Sequence, residues 1–329
     1  MSGTTWTSGE ATATLGAMRS VAATGGELGP VERSLIEGAA AHVFEVGVEV
    51  DALSKVSPVE LAEAVTDAEK RATVTQFLVL VPYADMKVET PEVDAVDAFA
   101  AALGVSPGSL KDLHNTRKHH IKRLILDYGR RSFEAFSENS PYGPVRLAAR
   151  SARQTTVGDK HLAERFVALG EYAEDTLGRT FFDFYRARGF ALPGEPKSLG
   201  GELLVTHDSS HILGGFNTDG TGEINVAGFE AGMSRSGFGY ELLMEVLLDF
   251  HVGINVGGQA AGIESKTGEM NPDTMMVGIA RGLDCNVDLI GDWDFWSVAD
   301  QSVLELRERY NIVGAGPVVQ PVPGFQQQP

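Results

Sequence analysis

The chain has 329 residues, with 45 acidic side chains against 27 basic ones, a formal net charge of -18, 43% hydrophobic residues and one cysteine. The carboxylate excess excludes a protein that tracks nucleic-acid phosphates, because that role needs a basic face to displace counterions. Cys285 has no partner for an intrachain disulfide, which fits a reducing, cytoplasmic setting, and no apolar run of roughly 18 residues predicts a transmembrane helix.

Residues 1–29 are rich in Thr, Ser, Gly and Ala, lack the basic start and apolar run of a secretory signal, and read as a flexible tail. From residue 30 to about 126 the pattern is helical. Leu61, Val65, Val74, Phe77, Leu78 and Val81 recur near helical spacing across residues 58–81, with Ser57 as a cap. A second helix enters at Thr90-Pro91-Glu92, carries Val93, Val96, Ala100 and Leu103 on one side, and ends at Gly104. Ser106-Pro107-Gly108 begins a third, which runs into the basic stretch 117–131. Residues 137–143 break the pattern, and two helices are expected between 145 and 188. A Pro/Gly loop at 192–201 precedes helical segments at 202–213, 229–250, 272–281 and 298–310, with a turn-rich insert at 214–222. Residues 313–329 read as a second tail. With no βαβ alternation, no repeat and no glycine fingerprint after a strand, the expected fold is all-α. The expected organisation is a helical domain over 30–130 and a second over 131–312, between two tails.

The chemistry concentrates in His207-Asp208-Ser209-Ser210-His211. On a helix, the two imidazoles at i and i+4 project from one face and can grip a single cation. Past a glycine-rich turn stands Glu223. Two imidazoles and a carboxylate make an open site suited to a borderline first-row metal, zinc foremost. Asp208 lies about 100° round the helix from His207, so it ligates, orients a histidine or faces elsewhere. On spacing alone, the alternative is a polar helix end beside a loop.

The arrangement of His207-Asp208, His211 and Glu223, an HD pair, two residues, H, eleven residues, E, resembles the signature of the ubiquinone-biosynthesis family called coenzyme Q biosynthesis protein four. Thr176-Leu177-Gly178-Arg179 with Phe181-Phe182-Asp183-Phe184 is similar to that family's Leu-Gly-Arg segment and aromatic helix. Gly222-Glu223 with Phe229-Glu230, and residues 293–312 ending in Leu306-Arg307-Glu308-Arg309, extend the likeness over roughly residues 140–312. The resemblance implies a mostly helical domain with a divalent metal at His207, Asp208, His211 and Glu223. It also implies a prenylated quinone precursor or similar lipid as ligand, oxidative removal of a ring carboxyl by a decarboxylase or hydroxylase, and contact with a membrane surface or a biosynthetic complex. In such an enzyme Asp208 or Glu223 serves as proton acceptor. A non-catalytic lipid-binding or scaffold protein with a structural metal is the competing expectation, and a homo-oligomer is left open. The chain departs from the family in its N-terminal extension and in Leu203-Leu204-Val205-Thr206 before the motif.

The N-terminal half, through Val79-Leu80-Val81-Pro82-Tyr83-Ala84-Asp85, Val88, Glu92, Phe99 and Leu103-Gly104-Val105, resembles the tellurite-resistance B-like (TerB-like) helical domain over about residues 55–126. That resemblance implies a cation at Asp85 and Glu92; otherwise the two acids suit a loop and the start of the following helix.

Rival readings share some of these residues. Residues 217–228 mimic an EF-hand loop, but position twelve is Gly228 where calcium needs a bidentate carboxylate. An HD-type phosphohydrolase would recruit His161 and Asp249 to His207-Asp208, and an H-E-x-x-H protease would need Glu where Asp208 stands. His251 reads as a core or cap histidine, Cys285 as a bystander, and Trp293 and Trp296 as core anchors. Arg117, Lys118, His119, His120, Lys122 and Arg123 read as a solvated face or a contact to anionic headgroups.

Overall fold

The structure is a computed structural model that describes residues 5–24, 26–138, 140–198, 200–257 and 265–316. Among the described residues the chain forms α-helices and no strand. In order these are α1 (Ser8–Ala22), α2 (Pro30–Gly38), α3 (Pro58–Ala64), α4 (Ala68–Leu80), α5 (Thr90–Leu103), α6 (Gly108–Arg117), α7 (Ile121–Glu138) and α8 (Pro144–Val157). They continue with α9 (Lys160–Val167), α10 (Leu177–Arg188), α11 (Val205–Gly214), α12 (Gly220–Met233), α13 (Phe238–Phe250), α14 (Pro272–Leu283) and α15 (Val303–Arg309). The all-α expectation therefore holds. No helix among the described residues is long and apolar enough to cross a membrane.

The expected N-terminal tail does not extend over Ser8–Ala22, which folds as α1. Thr7 and Glu10 form a reciprocal capping box at its start, with Glu10 Oε2 accepting from the Thr7 amide at 2.9 Å. The helix was hidden because its buried stripe, Ala11, Leu15, Met18 and Val21, is diluted by small residues. Those residues are what close packing requires: a Cβ on Gly16 would stand 2.8 Å from the Ser54 carbonyl. Of the second tail, residues 317–329 lie outside the described residues.

Several expected helices are divided. The 58–81 stretch becomes α3 and α4, because Asp67 accepts from the Lys70 amide at 2.9 Å and starts a new helix. The third helix ends as α6 at Arg117; His119 takes a left-handed φ of 53° and α7 begins afresh at Ile121. Residues 145–188 hold three helices rather than two, and 229–250 is divided between α12 and α13 around Gly237, whose φ is 80°. Helix α5 ends at left-handed Gly104, as its sequence predicts.

Two apolar clusters form the interior. The first gathers residues of α1 to α7 and continues past residue 130 into Ile224 and Ala227 of α12, Leu243 and Leu247 of α13, and Met275 and Ile279 of α14. The second gathers Phe166, Phe181, Phe184, Ile212 and Leu306 together with Phe229 and Met233 of α12. Helix α12 thus buries one face in each cluster. It lies against α14 backbone to backbone, since a Cβ on Gly282 would sit 2.0 Å from the Phe229 carbonyl oxygen. The neighbouring α11 is fixed at its C-terminus by two arginines. Arg307 donates to the Ile212 and Leu213 carbonyls at 2.9 and 2.8 Å, and Arg281 donates to the Gly214 carbonyl at 2.8 Å.

Candidate metal centre

Helix α11 projects His207 and His211 from adjacent turns of one face, with ring centroids 4.9 Å apart and planes nearly perpendicular. Asp219 caps α12, accepting from the Gly222 amide at 2.7 Å, so that Glu223 emerges from the first turn toward both rings. Each histidine Nε2 lies 3.3 Å from Glu223 Oε2, and the three candidate ligand atoms lie within 4.8 Å of one another. Charge-assisted N–H···O⁻ bonds are shorter, about 2.7–2.9 Å. A tetrahedral zinc site with bonds of about 2.0–2.1 Å has edges of about 3.3–3.4 Å between its donor atoms, the separation found from Glu223 Oε2 to each Nε2.

The far side of each ring supports the same reading. His207 Nδ1 lies 3.1 Å from both oxygens of Glu230, which is fully buried, and His211 Nδ1 lies 3.4 Å from the Phe216 carbonyl oxygen. A carbonyl only accepts, so His211 carries a hydrogen on Nδ1, which fixes the ring with Nε2 as its inward-facing nitrogen. The His211 side chain is 1% exposed, whereas those of His207 and Glu223 are 17% and 18% exposed, so the site opens to solvent on their side.

The charges are strongly coupled. Burial alone would lower the His207 imidazolium, but Glu230 and then Glu223 outweigh it and hold that group well above its ordinary value. Burial alone would likewise raise Glu223, yet His211 and His207 hold its carboxyl far below the usual range. Asp208, which the family resemblance implied as a ligand, is not in the convergent group: its Oδ2 accepts the Tyr185 hydroxyl from α10. Burial pushes its carboxyl up, against the attraction of His207 and the Tyr185 bond.

Sequence reasoning missed Glu230 as a site residue. Its signal was the seven-residue spacing from Glu223, two turns along one face of α12. Tyr185 carried no such signal, since only the packing of α10 on α11 brings it to Asp208.

The other candidates fall elsewhere. Asp85 accepts from the Lys87 amide at 2.9 Å and pairs with its ammonium at 3.4 Å. Glu92 stands in the first turn of α5, and burial pushes its carboxyl up to about 7, with Asp85 and Glu32 of α2 adding to the effect. Among the described residues only His207, His211 and Glu223 bring three such ligand atoms together. The EF-hand mimic is the start of α12, where Asp219 serves as a cap. His161 is 96% exposed, and Asp249 accepts from the Val256 and Gly257 amides, so neither joins the histidines. His251 is a core histidine, placed 3.0 Å from the Ala84 carbonyl by Nε2 and accepting from the Met270 amide at Nδ1. The Cys285 thiol is pushed up to about 12 by burial, Trp293 donates to Tyr310, and Trp296 packs on Phe166. The basic strip faces solvent at Lys118, His119, His120, Lys122 and Arg123. A cavity of ≈ 780 Å³ lies against α1 and residues 48–56, and one of ≈ 290 Å³ against α8; neither touches the three ligand residues.

No family model matches the chain, and no curated protein matches it.

Proposed function

We propose that the chain binds one divalent cation, zinc foremost, through His207, His211 and Glu223, and that the loaded site acts on a prenylated quinone precursor or similar lipid. The observation that carries the metal is the pair of 3.3 Å separations from Glu223 Oε2 to the two Nε2 atoms, with both Nδ1 atoms engaged on the outside. The lipid and the reaction class, oxidative removal of a ring carboxyl, rest on the resemblance of the HD-H-E motif and its flanks. When bound, the cation supplies polarisation of a substrate oxygen or of a bound water. Asp208 holds a proton more readily than an exposed aspartate does, and Tyr185 occupies its Oδ2, which leaves Oδ1 for proton exchange with the substrate. Glu230 orients His207.

Metal analysis of purified wild type against His207→Ala and Glu223→Ala tests the site. One equivalent in the wild type and loss in both variants is expected; equal content in all three removes it. The competing reading is a lipid-binding or scaffold protein with a structural cation. Lipid extraction followed by turnover of any bound prenylated ring acid decides between them: a lipid that is held and never converted sinks the enzyme.

A further inference from the structure

The last residue of α10, Arg188, is only 7% exposed. A guanidinium does not shed its proton in a protein, so burial leaves it charged with little access to water. Buried Arg307 and half-buried Arg131 have matching partners. Arg307 reaches three backbone carbonyls, and Arg131 reaches Asp112 and Glu241.

Arg188 has weaker company. Its Nε donates to Thr218 Oγ1 at 3.2 Å, its Nη1 to the Phe184 carbonyl at 3.3 Å, and its guanidinium carbon lies 3.9 Å from the Phe184 ring centroid. Among the described residues no carboxylate comes within 4.0 Å of it, and Nη2 donates to no group. The acids whose fields it feels, Asp208 and Glu223, are engaged elsewhere, by the Tyr185 hydroxyl and by the two histidines.

Its neighbours place Arg188 beside the metal centre. On α10, Tyr185 bonds Asp208 and Phe184 lies 6.0 Å from the His211 ring; Thr218 belongs to the loop that joins α11 to α12, five residues before Glu223. We propose that Arg188 is the specificity-determining residue of this site, and that it selects a ligand carrying a carboxylate, which its fork holds beside the cation. This assignment rests on the metal reading above. The fork matches the planar two-oxygen geometry of a carboxylate, and no carboxylate of the described residues pairs with it directly.

The test is calorimetric titration of the zinc-loaded full chain with 4-hydroxybenzoate and with the neutral, similarly shaped 4-hydroxybenzamide, for wild type, Arg188→Lys and Arg188→Gln. Zinc content is measured on every sample, and it reports on the metal reading separately. The wild type is expected to prefer the acid by about tenfold or more, in line with a charge-assisted pair. Arg188→Gln should lose that preference with amide binding and zinc content unchanged, and Arg188→Lys, which keeps the charge without the fork, should fall between. Equal wild-type affinity for acid and amide overturns the proposal, as does undiminished acid binding by Arg188→Gln. Should the glutamine variant not fold, the wild-type preference and the lysine variant still decide.

Discussion

Replacing Glu230 by glutamine separates the charge that orients His207 from the shape that does so. Glu230 is fully buried, with both carboxylate oxygens 3.1 Å from His207 Nδ1. A hydrogen bond to a charged group is worth about 1.5–3 kcal/mol and a neutral one about 1 kcal/mol. Glutamine, which keeps one acceptor oxygen, therefore forfeits about 0.5–2 kcal/mol, or about two- to thirtyfold in zinc affinity. Glu230→Leu keeps the volume and removes the acceptor, and should approach the roughly hundredfold loss found when such outer partners are removed. Proton competition modulates both numbers. Although burial opposes its charge, His207 is held well above its ordinary value by Glu230 and Glu223, and zinc must displace that proton. Zinc affinity should therefore rise as pH climbs through neutrality. The glutamine variant gives up the proton more readily, so it should differ least from wild type near neutrality and most at alkaline pH. Competition against a chromophoric chelator over a pH series measures this. Leucine-variant protein that binds zinc as tightly as wild type at alkaline pH would refute the orienting role.

Glu92 offers a stability test with a definite sign. Its folded-state carboxyl is pushed from 4.5 to about 7, so the folded protein holds that proton more tightly than the unfolded chain, and stability is lost as pH rises through that window. At about 1.4 kcal/mol per pH unit the ceiling is about 3 kcal/mol; Glu92→Gln should gain up to that amount at about pH 8 and nothing near pH 4.5 in urea unfolding. Gly282→Ala forces a Cβ to 2.0 Å from the Phe229 carbonyl, a backbone atom that cannot swing away, and should cost about 3 kcal/mol and weaken zinc binding through displacement of α12. A cost below about 0.5 kcal/mol in the same assay would show that the helices are free to separate. Arg307→Met strands the Ile212 and Leu213 carbonyls at the end of α11 and should cost about 2–3 kcal/mol by thermal unfolding; an unchanged midpoint would discount that brace. His161→Ala should leave zinc content untouched, which separates this site from an HD-type phosphohydrolase.

What was legible in the sequence follows from locality. Helix α5 announces itself because its proline start and left-handed Gly104 end act within the element. The His207 and His211 pair was legible for the same reason, since four residues on one helix fix a shared face. Helix breaks were not. Apolar spacing runs on from α3 into α4 because both bury into one core, and Asp67 reads as a solvent position until its bond to the Lys70 amide is seen. Helix α1 failed for the opposite reason: its interior is built from close approach by small residues, which composition scores as weak. The spacing left Asp208 open and only the family resemblance grouped it with the ligands; a step of about 100° carries it round to Tyr185. Glu230 required the tertiary fold, since only α12 beside α11 turns a carboxylate two turns past Glu223 into a support for His207.

The two acid clusters show what distinguishes a cation site from mere carboxylate burial. Glu92 is buried and Glu223 largely so, and burial pushes both carboxyls up. At Glu223 two imidazoles reverse the effect and hold the group ionised; at Glu92 the nearest charges include Asp85 and Glu32, and the carboxyl reaches about 7. The Oε2 atoms of Glu32 and Glu92 are buried without a hydrogen-bond partner, while Asp85 is turned to Lys87. Near neutrality the α2–α5 cluster relieves its repulsion by taking a proton, whereas the α11–α12 cluster presents an ionised oxygen and two nitrogens to one point. Zinc in excess should therefore raise the melting temperature of wild type and of Glu92→Gln by equal amounts, through preferential binding to the folded state. It should leave Glu223→Gln unmoved. If Glu92→Gln abolishes the shift and Glu223→Gln preserves it, the cation belongs to the α2–α5 cluster and the assignment must be reversed.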